Sequence, residues 1–258
     1  RMETQQQHML RSYGSPTRPA RTPSPNLLGN FTQARAFGSA VATVRHRRRN
    51  NATRLIPEVL VFNGRQNLLS GSFAPRGLGR YAANVRRTVS IHPGTTTLFL
   101  DDKGCADTLL SHREIGAALA QAFRNEADGR LRSDMCRLAQ LYRHGGYYFD
   151  NDIAPLFDLR RIIDADTTFV TALTTTAFPQ NPRGFFQAFL GAAPGHPVLD
   201  VALRRHLRWY DAKARRDAAE IRRVTRGNTR PNVGTVLLRD AFLEWAGGSA
   251  LAEAEAGG

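Results

Sequence analysis

Long hydrophobic runs are missing from this sequence. Nowhere do the ~18 apolar residues that a membrane-spanning helix needs follow one another, and the opening Arg1-Met2-Glu3 lacks the apolar stretch of a signal peptide. The expected chain is soluble, with an anchor upstream of Arg1 left open. Cysteine is scarce: Cys105 and Cys136 are the only two, too few for a disulfide-framed miniprotein. They can pair or stay reduced, and the reading favoured from sequence is two buried thiols. Lysine is scarcer than the charge suggests, with only Lys103 and Lys213 among 36 basic residues. A formal net charge of +14 would ordinarily point to an anionic partner. A chain so rich in arginine, alanine and glycine can owe that bias to coding composition instead.

What is present is enough apolar material for a full core. At 41% hydrophobic over 258 residues, one domain of roughly 200 residues plus a tail is expected. Residues 1–50 hold nine arginines against one glutamate, so more than half of the formal charge lies there. They also contain Pro16, Pro19, Pro23 and Pro25 and no sustained apolar period, and read as a disordered basic stem or linker. Asn30-Phe31-Thr32 and Asn51-Ala52-Thr53 fit the glycosylation sequon, weak support for a secretory location.

Beyond residue 50 the pattern changes. Leu55 to Gly64 reads as a first buried strand, Arg80 to Thr88 as a helix, and Thr96 to Asp102 as a second strand. Ser111 with Glu114 forms a capping box for a helix over 112–126. Ser133 is expected to cap another, ended by Gly145-Gly146. Tyr147-Tyr148-Phe149 enters a strand, and residues 168–173 make one more. Val198–Tyr210 and Val233–Trp245 read as helices, and 248–258 as a flexible tail. Strands alternating with helices imply an α/β fold with a mainly parallel central sheet flanked by helices, the catalytic domain spanning 51–247.

The informative stretch is Arg130-Leu131-Arg132-Ser133-Asp134-Met135-Cys136-Arg137, followed by Leu141-Tyr142-Arg143-His144-Gly145-Gly146-Tyr147-Tyr148-Phe149-Asp150-Asn151-Asp152. On a helix, Asp134 and Arg137 share a face; near a strand end, Asp150 and Asp152 point the same way. The helix leads straight into the strand, so both pairs reach one sheet edge, where open α/β folds bind ligands. Two hard carboxylates suit Mn²⁺ or Mg²⁺. The neighbouring aspartate and arginine suit sugar hydroxyls and phosphate. Cleaving a sugar from a nucleoside diphosphate calls for this set, because negative charge grows on the leaving diphosphate while the anomeric carbon becomes oxocarbenium-like.

The order Arg-x-Ser-Asp-x-x-Arg, then Leu-Tyr-x-x-Gly-Gly-x-Tyr-x-Asp-x-Asp, resembles the DXD-containing sugar-binding region of glycosyltransferase family 32, which includes Golgi α-mannosyltransferases and inositol phosphoceramide mannosyltransferases. It is similar, more distantly, to the glucosylating bacterial toxins. The resemblance implies a single GT-A (Rossmann-like) domain and a retaining, metal-dependent enzyme. It would take a UDP- or GDP-sugar donor and a glycan or glycolipid acceptor, with no nucleic acid as partner. It implies a Golgi or secretory lumen if the source is eukaryotic, and the cytoplasm otherwise. By the same resemblance Asp134 would contact the donor ribose or sugar and Arg137 the sugar or diphosphate. Asp150 would contact the donor sugar and the metal shell, and Asp152 the metal directly; Asp150 and Arg137 would be the catalytic pair. The family's Thr-Gly-Pro turn before the last helix is replaced here by Asn232-Val233-Gly234-Thr235.

Two rivals remain. A phosphohydrolase with Asp150 as nucleophile and Asp152 as acid/base would want a hydroxyl residue at position 154, which is alanine, and a later lysine, of which only Lys213 exists. A nucleic-acid-binding module would want basic residues interleaved with exposed aromatics, and none are evident.

Overall fold

A computed structural model of the protein describes residues 34–36, 39–45, 54–70, 77–173, 185–224 and 234–247. Both sequons, the proline-rich stretch, the 248–258 tail and the Asn232-Val233 pair lie outside the described residues.

Seven strands form one sheet in the order β1-β2-β6-β7-β5-β3-β4. They are β1 (Ala34–Ala36), β2 (Ser39–Arg45), β3 (Val59–Asn63), β4 (Thr96–Leu100), β5 (Gly146–Phe149), β6 (Thr167–Leu173) and β7 (Phe185–Ala192). The helices are α1 (Gly79–Ile91), α2 (Asp102–Leu110), α3 (Gly116–Asn125), α4 (Gly129–His144), α5 (Pro197–Ala214), α6 (Ala218–Val224) and α7 (Thr235–Trp245). Alternation along β3 sends Val59 and Val61 into a core shared with α2 to α5 and α7, and Leu60 and Phe62 into a second core with Ala82 and Val85 of α1. Both sheet faces are thus covered, as an α/β fold requires.

The sheet is mixed. β3 pairs parallel with β4 and with β5, where helices supply the crossovers. β5–β7, β6–β7, β2–β6 and β1–β2 pair antiparallel. β7 lies between β5 and β6 and runs opposite to both, so these two strands point the same way without being neighbours. The expectation of a mainly parallel sheet therefore holds only for the β4–β3–β5 part, and β7 has no counterpart in the sequence reading.

Four further expectations are corrected. The strands at 34–36 and 39–45 are not a featureless stem, since β1 and β2 continue the sheet through β6; edge pairing is a tertiary gain that two short runs next to a proline-rich, basic stretch do not advertise. Ser111 ends a helix instead of starting one: its N–H bonds the Asp107 carbonyl of α2, a helix the sequence reading passed over, and Glu114 pairs with Arg204 at 2.6 Å. α2 is itself capped by Asp101, which accepts from the Gly104 N–H at 2.8 Å. Ser133 lies inside α4, because Asp128 takes the cap by accepting from the Arg130 N–H at 2.9 Å. The buried-thiol reading fails as well: Cys105 of α2 and Cys136 of α4 form a disulfide with Cα atoms 5.2 Å apart.

The end of α4 behaves as its glycines suggest. Gly145 has φ 65° and Gly146 φ 101°, conformations open to glycine. A Cβ on Gly145 would sit 2.7 Å from Pro194 Cδ and one on Gly146 2.4 Å from the Val59 carbonyl oxygen. The chain can therefore leave α4 and enter β5 directly beside β3.

Candidate active site

β5 ends at Phe149, and alternation places Tyr148 and Asp150 on the face that looks toward α4. The Tyr148 hydroxyl donates to Asp150 Oδ1 at 2.6 Å. From α4, Arg137 reaches the same oxygen with Nη1 at 3.2 Å and Asp134 Oδ1 with Nη2 at 3.1 Å. Its Nη1 also donates to the Gln187 carbonyl of β7 at 2.8 Å, and its Nη2 to Ser133 Oγ at 3.2 Å. The guanidinium lies 4.7 Å from the Tyr148 ring centroid. Asp134, Arg137 and Asp150 are therefore one cluster, with Arg137 only 6% exposed at its centre.

Burial dominates the electrostatics of this cluster. It disfavours the charge on Arg137, but Tyr148, Asp134 and Asp150 outweigh it and hold the guanidinium above its ordinary pKa. Burial pushes the Asp134 carboxyl up to about 6, against the pull of Arg137. It likewise raises the Tyr148 phenol, which keeps its proton and its role as donor.

Asp152 stands apart. The strand has ended, and the Ile153 N–H bonds the Asp150 carbonyl at 3.0 Å to close a turn, so strand alternation does not carry on to residue 152. Asp152 is exposed, yet its charge adds to the field at Arg137. Between the two aspartates, Asn151 Nδ2 donates to the Asn63 carbonyl at 2.9 Å.

The two aspartates fit a divalent cation in one specific respect. Protein donors occupy Asp150 Oδ1, and among the described residues none holds Oδ2 or the Asp152 carboxylate. Two hard oxygens are thereby left for Mg²⁺ or Mn²⁺, which complete their shells with water and substrate phosphate. No group of three His, Cys, Asp or Glu ligands occurs among the described residues.

The sequence reading overlooked several neighbours. Ser133, read as a cap, sits between Arg137 and Asn63. Tyr148 carried a signal in its spacing of two from Asp150. Gln187, on the strand that was not foreseen, donates through Nε2 to the Gly234 carbonyl. Gly234 itself presses on the site, since a Cβ there would fall 2.4 Å from Asp134 Oδ2. A cleft of about 290 Å³, open mouth included, adjoins the cluster, with Asn63, Arg65, Asp102, Arg132 and Ser133 in its wall beside the disulfide. Arg132 spans it, 2.9 Å from Asp102 and 4.5 Å from the Phe123 ring centroid.

Residues 80–169 match the family of glycosyltransferase sugar-binding regions containing the DXD motif. The class is therefore that of sugar-transferring enzymes. More narrowly, the matched stretch holds the Asp150-Asn151-Asp152 triplet and supports a DXD-containing glycosyltransferase. A search of curated proteins finds no match. Among solved structures it is similar to the PaToxG glycosyltransferase, with 12% identity and a TM-score of 0.49 over 78% of this chain and 74% of that one.

Proposed function

We propose that the chain transfers a sugar from a UDP- or GDP-sugar to a glycan or glycolipid hydroxyl, with retention and with Mn²⁺ or Mg²⁺ bound at Asp150 and Asp152. The observation that carries this reading is the buried guanidinium of Arg137 shared between Asp134 and Asp150. A bound cation would neutralise the charge that grows on the leaving diphosphate. Arg137 adds fixed positive charge from a water-poor position, where it needs no reorganisation as the bond breaks. Asp134 offers a carboxylate to donor hydroxyls. Tyr148 holds one oxygen of Asp150 and leaves the other for the cation.

The phosphohydrolase alternative finds no phosphate-holding lysine here, because Lys213 pairs with Glu126 at 3.4 Å. The Cys105–Cys136 disulfide supports an oxidising lumen such as the secretory pathway.

A thermal-shift panel of UDP- and GDP-sugars with and without Mn²⁺ tests the reading, since specific binding stabilises by mass action. At least one donor should raise Tm only when Mn²⁺ is present, and should be slowly hydrolysed. A chain indifferent to all of them would leave the reading without support.

A further inference from the structure

We infer that Asn63, the last residue of β3, is a positioning residue that holds both halves of the donor site in register. The inference rests on the sugar-transfer reading above and extends it to a residue outside the DXD motif. The side chain is 4% exposed and makes two well-formed bonds: its Nδ2 donates to Gln140 Oε1 at 3.1 Å and its Oδ1 accepts from Ser133 Oγ at 2.8 Å.

The orientation of this amide is fixed from outside the site. Gln140, fully buried, donates through Nε2 to the Phe62 carbonyl at 3.0 Å. A carbonyl can only accept, so Gln140 must turn Oε1 toward Asn63. Asn63 must answer with its NH₂ and therefore presents its carbonyl to Ser133. The single Ser133 proton is committed to that carbonyl, which leaves the Ser133 oxygen free to accept from Arg137 Nη2 at 3.2 Å. The other half is held by the backbone of the same residue, because the Asn63 carbonyl accepts from Asn151 within the acidic triplet. A directional chain of buried bonds thus runs from Phe62 to the guanidinium, and a branch of it pins the triplet.

This arrangement differs from simple packing in what it does to Arg137. Without the Asn63 carbonyl, Ser133 is free to turn its hydroxyl proton elsewhere, and the guanidinium loses one of its fixed acceptors. A small displacement of a charge that must meet the leaving group lowers turnover more than donor binding.

The test is a double-mutant cycle on hydrolysis of UDP-glucose or GDP-mannose with Mn²⁺, whichever the wild type cleaves. Asn63→Ala should lower kcat about tenfold or more while the donor KM moves less than about threefold. In an Arg137→Ala background the same substitution should lower kcat less than about twofold, because its effect passes through that side chain. Should Asn63→Ala prove too unstable to purify, Ser133→Ala goes through the same cycle with the same expectation. Full additivity with Arg137→Ala, or wild-type turnover in Asn63→Ala, overturns the inference while leaving sugar transfer intact. A wild type that cleaves neither donor, or an Arg137→Ala chain with undiminished turnover, instead removes the reading on which the inference stands.

Discussion

Tyr148 and Asp150 lie two residues apart on one face of the chain and are joined by a 2.6 Å hydrogen bond in which the phenol donates. The bond fixes one carboxylate oxygen and so orients the other. Tyr148→Phe keeps the ring beneath Arg137 and deletes only that donor. A hydrogen bond to a charged carboxylate contributes about 1.5–3 kcal/mol, so Tm should fall by several degrees. Loss of carboxylate orientation should be felt more strongly, with kcat/KM down about tenfold. Equal turnover in the two proteins would show that Asp150 needs no such guide.

Asp152→Asn should fold as the wild type does, since the side chain is exposed and makes no hydrogen bond or ion pair among the described residues. A neutral amide is a poorer ligand for a hard cation, so Mn²⁺-dependent nucleotide binding should weaken by tenfold or more, readable by calorimetry. Unchanged affinity would move the cation elsewhere.

An exposed helix pair at the spacing of Asp134 and Arg137 would be worth only about 0.3–0.5 kcal/mol. Their burial changes that expectation. Removing one partner of a buried pair typically costs on the order of 3–5 kcal/mol, because the other charge is left uncompensated. Arg137→Ala should therefore lower both turnover, by at least ~10-fold, and Tm. Asp134→Asn should cost less stability, because this carboxyl is already pushed up to about 6, and should raise donor KM. A variant of Arg137 with native Tm and native turnover would contradict the buried geometry.

Acid should unfold the protein through its histidines. Burial lowers His196 to about 3, and His206 and His144 to about 4, from an ordinary 6.5. Between those values the unfolded chain binds more protons than the folded one, so their contribution is complete above pH 6.5 and is lost as pH falls toward 4. Asp134 has the opposite sign, since its raised pKa penalises the folded state above about 6 and the penalty is relieved as pH falls toward 3.8. Three groups against one predict a Tm that declines steadily from pH 7 to pH 4.5. His196→Asn, which can still cap α5, should make the decline shallower.

Truncation separates the N-terminal segments. Deleting residues 1–33 removes no described element and should leave Tm and turnover unchanged. Deleting 1–50 strips β2 from its five-residue register with β6 and should lower Tm by several degrees. Identical melting of the two truncations would restore the stem reading for the whole segment.

How far the sequence could carry this follows from where its signals are local. The α4–β5 passage was legible because a helix period, a Gly-Gly stop and an apolar run adjoin the acidic triplet, each marking its own residues. The cluster of Asp134, Arg137 and Asp150 followed from spacing alone. Partners across the chain were not legible: Asn63 reads as the turn after a strand, and only the approach of α4 makes it an amide between Gln140 and Ser133. β7 escaped because its pairing depends on β5 and β6. The disulfide escaped because Cα separation cannot be read along a chain. Ser111 and Ser133 misled for one reason, namely that a hydroxyl three or four residues ahead of an apolar run suits a helix end as well as a helix start or interior.

The pinched glycines between α4 and β5 set a boundary for anyone reshaping this enzyme. The cleft wall around Arg65, Asp102 and Arg132 is built of side chains, and on the proposed function a library varied there would search for other donors while the scaffold stays put. Gly145 and Gly146 offer no such latitude: with Pro194, Pro57 and the Val59 carbonyl within 3 Å of any added methyl, each substitution would lift β5 off β3 and carry Asp150 with it. On the sugar-transfer reading, donor preference is the property to recode from the cleft, while the depth at which the acidic triplet emerges is written into two residues that have no side chain to vary.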